Sequence, residues 1–237
     1  MSEVTAPENV SSNEGYGSRS YRSYVLFALI VVYTFNFIDR TLIGVLGDDI
    51  RVEFGLSDTE IGLLSGIAFA FLYTLLGIPF AMLAERKSRT WIISLAMAAW
   101  SAMTVFCGMA QSTLQFTLAR IGVGIGEAGC SPPSHSLISD YFPPEKRASA
   151  LGIFALGIPL GSMLAAVGGA WIATQEGLDW RAAFIWMGVP GVIGAAIFKL
   201  TVKDPPRGYS DPGGAEAAAK RQMPSPLKVF PLLSRNA

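Results

Sequence analysis

The sequence predicts an all-α membrane protein, a bundle of six transmembrane helices, and three observations carry that reading. Charged residues make up only 15% of the 237-residue chain, and hydrophobic residues 51%. A soluble domain usually has about a quarter of its residues charged. Six apolar runs occupy 24–46, 59–84, 90–110, 113–139, 148–173 and 181–201, each near the roughly twenty residues that cross a hydrocarbon core. Fourteen of the eighteen basic residues fall in alternate connections and tails, the placement that membrane insertion imposes.

Residues 1–23 form a polar stretch with three glutamates, read as a disordered tail without the pattern of a cleavable signal peptide. The first run ends at Gly47-Asp48-Asp49, and GMAQST, FPPEKR and TQEGLDWR separate later runs with turn chemistry. Beyond the bundle at 24–201, residues 202–237 open with KDPPRGYSDPGGAEAAAKRQMPSP, whose proline, glycine and charge read as a linker, the start of a central loop. Arg19 and Arg22, then Arg86, Lys87 and Arg89, then Lys146 and Arg147, then seven residues beyond 198 lie on one side, against Arg51 and Arg181 on the other. The bias places both termini in the cytoplasm, with the plasma membrane or a bacterial inner membrane as the location.

The first run contains NFIDRTLIGVL, an aspartate beside an arginine in a lipid-facing stretch. Helix rise places Asp39 about 10 Å below the outer surface, and Arg120, in the fourth run, at about the same depth. Glu127 lies two turns beyond Arg120 on the same helix face, close to the midplane. A lone charge at such depth costs about 2.5–3.5 kcal/mol on insertion scales, so these groups must pair or line a wet cavity. Asp39 is expected to pair with Arg120, and Arg40, about 100° further round the helix, needs a partner of its own. Asp39 and Glu127 are the candidates for proton coupling; Arg40, Arg120 and Asn36 are candidates for solute binding or ion pairing. A helix-pinning bridge between Asp39 and Arg120 would use the same residues without transport. Tyr33, Phe37 and Phe69 are placed to give a solute apolar contact. His135 and the two cysteines, Cys107 and Cys130, read as packing residues.

The fourth run carries RIGVGIGEAGCSPP, in which Gly126, Gly129, Pro132 and Pro133 form a hinge. Gly157, Pro159 and Gly161 give the fifth run a second one, within a small-residue stripe suited to close helix contact. An inverted repeat of three helices plus three would make the fourth run the counterpart of the first, and the shift between their starts carries Asp39 to the neighbour of Glu127.

The connection AMLAERKSR at 81–89 resembles the signature of the major facilitator superfamily. Leu83, Ala84, Arg86 and Arg89 match it, whereas Ala81, Glu85 and Ser88 depart. The resemblance implies a cytoplasmic gate loop, a charge lock made by Glu85, Arg86 and Arg89, with Glu85 standing for the family's aspartate. FIDR, RIGVGIGEAGCSPP and KDPPRG together look like the Spinster-like branch, whose animal members export sphingosine-1-phosphate and lysophospholipids. By that resemblance Asp39, Arg120 and Glu127, with Arg40 alongside, serve proton coupling and substrate binding. Family members have twelve spans in two halves, so six spans correspond to the N-terminal half, a 3+3 inverted repeat.

The expected function is that of a secondary carrier, or its N-terminal half, moving an amphipathic, lipid-like organic solute with protons across the bilayer. Its partners would be the solute, protons, lipid and a second six-helix half or a further copy of the chain, with no cofactor and no nucleic acid. The alternative is a truncated, non-transporting membrane scaffold or partner subunit. An enzyme is not expected: no nucleophile sits with a base, no metal-ligand cluster occurs, and GVGIGEAG follows an apolar helix rather than a strand.

Overall fold

A computed structural model describes residues 15–175, 177–212 and 214, apart from the side chains of Ser65, Ile67, Ala68, Phe69 and Ala173. The first fourteen residues of the polar tail, most of the linker and the Phe69 ring therefore lie outside the described residues. All the regular structure in the described part is helical. Among those residues, four helical stretches are long and apolar enough to cross a membrane: Arg19–Val45, Arg89–Met109, Pro144–Ile172 and Trp180–Thr201. A shorter apolar helix covers Ala70–Ala84.

Helix α1, Arg19–Val45, begins five residues before the first apolar run because the Ser18 side chain caps it, accepting from the Tyr21 amide at 3.2 Å. The apparent turn that follows is a short helix, α2, Gly47–Phe54. Asp48 and Asp49 sit in its first turn, and Gly55 ends it at φ +64°, a backbone conformation that favours glycine. The run expected at 59–84 is two helices, α3 Asp58–Ser65 and α4 Ile67–Ala84, broken at Gly66. A capping box between Ser57 and Glu60 starts α3. Next comes α5, Arg89–Met109, capped by Ser88.

The fourth run is also double: α6, Thr113–Ala128, gives way at Gly129-Cys130 to α7, Ser131–Tyr141. Pro132 and Pro133 fall in the first turn of α7, where a missing amide leaves no intrahelical bond unmade. The fifth run divides at Ala155-Leu156 into α8, Pro144–Phe154, and α9, Gly157–Ala173. Pro159 similarly falls in the first turn of α9. The chain closes the bundle with α10, Trp180–Thr201.

Helix α10 packs most extensively on α5, and α1 on α9. In lipid there is little hydrophobic drive between helices, so close backbone approach carries much of the association. Gly161 shows this, since a Cβ there would stand 2.5 Å from the Thr34 carbonyl oxygen and 2.6 Å from the Phe37 Cβ. Gly126 lets α6 press on α5 in the same way, with the Trp100 amide nitrogen 2.8 Å from where its Cβ would lie. The interior holds Trp100, Phe116, Phe184, Leu29 and Leu42, while Leu200 is 85% exposed and Val167 64%, an outward apolar surface of the kind acyl chains solvate.

The two ends differ in charge. At one, called here the basic end, Tyr21 donates to the Thr201 carbonyl and Arg207 to the carbonyls of Ala84 and Lys87. At the other, Glu53 on α2 takes a two-bond grip on Arg181 of α10, both contacts at 2.6 Å. Trp180 Nε1 also donates to Glu53, at 2.7 Å.

Candidate functional site

Helix spacing places Asn36, Asp39 and Arg40 within just over one turn of α1, and Arg120 and Glu127 two turns apart on α6. The structure brings Asp39, Arg40, Arg120 and Glu127 together inside the bundle, with Asn36 about one turn before Arg40 on α1. Asn36 and Glu127 are wholly buried, Arg120 is 2% exposed and Asp39 3%. Arg40 Nε donates to Glu127 Oε2 at 2.7 Å, and this arginine side chain is the more open partner, 26% exposed. Glu127, which has no basic residue beside it on its own helix, thus receives its counter-charge from α1. Arg120 acts electrostatically on both Asp39 and Glu127, and the Thr104 hydroxyl of α5 faces Asp39. Two acids and two arginines make the cluster formally neutral, the condition under which buried charge is tolerable.

Satisfaction of the cluster is incomplete. Among the described residues, both polar atoms of the Asn36 carboxamide, Asp39 Oδ1 and Glu127 Oε1 accept or donate no hydrogen bond to another protein group. Such buried groups are normally paired with protein or ordered water, so these atoms mark a polar, wettable lining.

Aromatic rings wall the open side. The Arg40 guanidinium lies 4.3 Å from the Tyr73 ring centre and 5.3 Å from that of Phe37. Tyr73, on α4, shares a 2.8 Å hydrogen bond with Ser131, the first residue of α7. Tyr33 meets the Phe37 ring edge-on at 5.1 Å and stacks on Phe154 at 4.3 Å. His135 packs edge-on against Phe154, 5.5 Å away. Sequence reasoning missed Tyr73, Ser131 and Thr104, which are uncharged and carry no spacing signal. Their role is visible only once α4, α5 and α7 are placed around α1 and α6.

Of the loop residues, Glu85 and Arg86 are exposed, whereas Arg89 is 1% exposed. Its Nε donates to Asp204 at 2.8 Å, Nη2 to the Pro205 carbonyl at 2.6 Å, and Nη1 to Asp140 and to Ser136. Asp140 in turn accepts from the Gly208 amide at 2.8 Å, and its carbonyl accepts from Ser210 at 2.6 Å. Arg147 pairs with Asp211 at 2.8 Å. Residues 202–211 are therefore a strap that ties the α4–α5 connection to the α7–α8 connection. The sequence showed this segment as linker because proline and charge conceal how its carbonyls and carboxylates are used. Of the residues expected as hinges, Gly129, Pro132 and Pro133 flank the α6–α7 break and Gly157, Pro159 and Gly161 follow the α8–α9 break, whereas Gly126 lies inside α6 and packs on Trp100.

The described residues form a membrane bundle of interrupted helices around a shared ionic cluster. The chain belongs to the Major Facilitator Superfamily, whose profile matches residues 29–237, and within it falls in the Spinster-like branch. It resembles the crystal structure of a bacterial homolog of the human lysosomal transporter Spinster, in an inward-facing, occupied conformation. That match has a TM-score of 0.73 and 46% identity, over 83% of this chain and 47% of the other. An MFS-type efflux pump of Mycolicibacterium smegmatis is 37% identical over 73% of this chain and 40% of its own length. Protein spinster of Drosophila melanogaster is 33% identical over 79% of this chain and 31% of its own. The chain thus spans less than half the length of each of these relatives.

Proposed function

We propose that this chain works as the N-terminal six-span half of a secondary carrier, in a 3+3 arrangement with both ends cytoplasmic. It moves an amphipathic, lipid-like solute together with protons by alternating access. In this reading α3 with α4, and α6 with α7, supply the two spans beyond the four long apolar stretches. A second six-helix half, or a further copy, closes the pathway, because carrier sites lie between repeats.

The observation that carries the proposal is the Arg40–Glu127 bond between α1 and α6 beside Asp39 and Arg120. A proton arriving at either carboxylate removes one negative charge from a neutral set, so an arginine loses its partner and becomes available to a solute anion. Asp39 and Glu127 are the proton carriers in this scheme. Arg40 and Arg120 meet the polar head, Asn36 offers its unmatched carboxamide, and Tyr33, Phe37 and Tyr73 receive the apolar part. The breaks at Gly129-Cys130, between Gly126 and Pro132-Pro133, and at Ala155-Leu156, just before Gly157, Pro159 and Gly161, provide places for the helices to bend. Arg89, held by Asp140 and Asp204, closes the cytoplasmic side, with Glu85 and Arg86 exposed for contact with the second half.

The test is flux of a fluorescent lysophospholipid into vesicles containing the chain, with and without a co-expressed second half, under an imposed pH gradient. Flux that needs the second half and is lost in Asp39→Asn and Glu127→Gln supports the proposal. A folded, inserted pair of halves with no flux of this probe rejects the lipid-like substrate class. No proton-driven flux of any amphipathic solute would leave a scaffold or partner subunit.

A further inference from the structure

The basic end carries a second polar constellation, on the outer surface of the bundle and unrelated to the central cluster. Lys199, in the last turn of α10, places its ammonium 3.1 Å from the Thr90 hydroxyl and 4.7 Å from the centre of the Trp91 ring. Thr90 is 1% exposed and also shares a 3.1 Å hydrogen bond with Ser88. Ammonium, indole and two hydroxyls thus meet where α5 begins and α10 ends. Among the described residues no carboxylate forms an ion pair with Lys199, and one of its three donors is used by Thr90.

The surroundings are those of a lipid boundary. Trp91 is 52% exposed, Leu95, one turn further along α5, 60%, and Leu200 85%. A fixed cation and an interfacial indole, with exposed Leu95 one turn further into the bundle, match an anionic head group with its acyl chain below.

We propose that Lys199, Ser88 and Trp91 form a binding site for the phosphate of an anionic phospholipid, with the buried Thr90 hydroxyl holding the ammonium in place and an acyl chain lying along Leu95. Charge complementarity selects the occupant. A phosphatidylglycerol phosphate brings a net negative charge to Lys199, whereas a phosphatidylcholine head brings its own cation to compete. Lys87, exposed and next to Ser88 in sequence, adds further positive charge on the same side.

The experiment places the purified chain in nanodiscs of graded phosphatidylglycerol content, with phosphatidylcholine of identical acyl chains as the remainder. Thermal midpoint and lipids retained in native mass spectrometry are measured. Phosphatidylglycerol should raise the midpoint saturably and be retained in preference to phosphatidylcholine, while millimolar inorganic phosphate does neither. Lys199→Gln should weaken the apparent affinity about fivefold, the scale of one basic residue at a charged membrane surface. Lys199→Arg should keep it. If Lys199→Gln fails to fold, Trp91→Leu carries the test, with reduced phosphatidylglycerol retention expected. Equal response to the two lipids, or a folded Lys199→Gln or Trp91→Leu with wild-type retention, overturns the site.

Discussion

Arg40 on α1 and Glu127 on α6 are joined by a 2.7 Å bond, and the carboxylate is wholly buried while the arginine side chain is 26% exposed. The asymmetry fits a pair open to change from one side. A bond that merely pinned two helices would be as well placed with both members sealed. Here the guanidinium also touches Tyr73 and Phe37, so it already rests on rings that could receive an apolar chain.

Breaking that pair should cost stability as well as coupling. Glu127→Gln leaves Arg40 without its counter-charge, and the expected loss is about 2 kcal/mol, below the roughly 3–5 of a fully sealed pair because Arg40 reaches the opening. The double change Arg40→Gln with Glu127→Gln should recover part of the loss. Chemical unfolding of the four species in a double-mutant cycle measures it.

Glycines of the bundle should divide sharply by position. Gly161→Ala puts a Cβ 2.5 Å from the Thr34 carbonyl oxygen, and about 1–3 kcal/mol of destabilisation is expected. Gly77→Ala, on α4, meets nothing within 4 Å and should be neutral or stabilising. Thermal midpoints of the two variants in one detergent make the comparison.

The strap at 202–211 should depend on Arg89. Arg89→Gln removes the donors shared by Asp204, Pro205 and Asp140. Trypsin should then cut at Lys203 and Arg207 at least about tenfold faster, because local opening scales with the lost contacts at 1.4 kcal/mol per decade. Band intensities over a digestion time course report it.

At the opposite end, the bonds from Arg181 and then Trp180 hold the Glu53 carboxyl below its ordinary value of 4.5. A depressed folded value means that the stabilisation is present above the unfolded value and is lost as pH falls through the folded one. The wild type should therefore lose more of its thermal midpoint than Glu53→Gln between pH 6 and pH 3.5. The difference stays small, up to about 1 kcal/mol, because the pair is partly solvated.

Much of this protein was legible before folding because lipid imposes simple rules. Apolar length marked the four long stretches as membrane helices, and the cost of buried charge singled out Asp39, Arg40, Arg120 and Glu127 before any neighbour was known. Their pairing was less legible. Glu127 lacked a partner on its own helix, and the arginine that meets it lies across the bundle on α1. The helix break at Gly66 was also hidden, since an apolar run reads the same whether one helix or two carry it, whereas Gly157 and Pro159 signalled the one beside Ala155-Leu156. Short α2 was readable, with Asp48 and Asp49 in its first turn and Gly55 just beyond its end, but its polarity suggested a turn. The strap's bonds run mostly to backbone carbonyls and to acids far off in sequence, which no local pattern displays.

The most direct measurement separates movement of solute from its coupling to protons. Vesicles containing the chain with a second half would be loaded with fluorescent lysophospholipid, and equilibrium exchange compared with accumulation driven by a pH gradient. Wild type should do both, and Glu127→Gln should keep exchange while losing accumulation. Accumulation by Glu127→Gln equal to wild type would contradict a role for the Arg40–Glu127 pair in proton coupling.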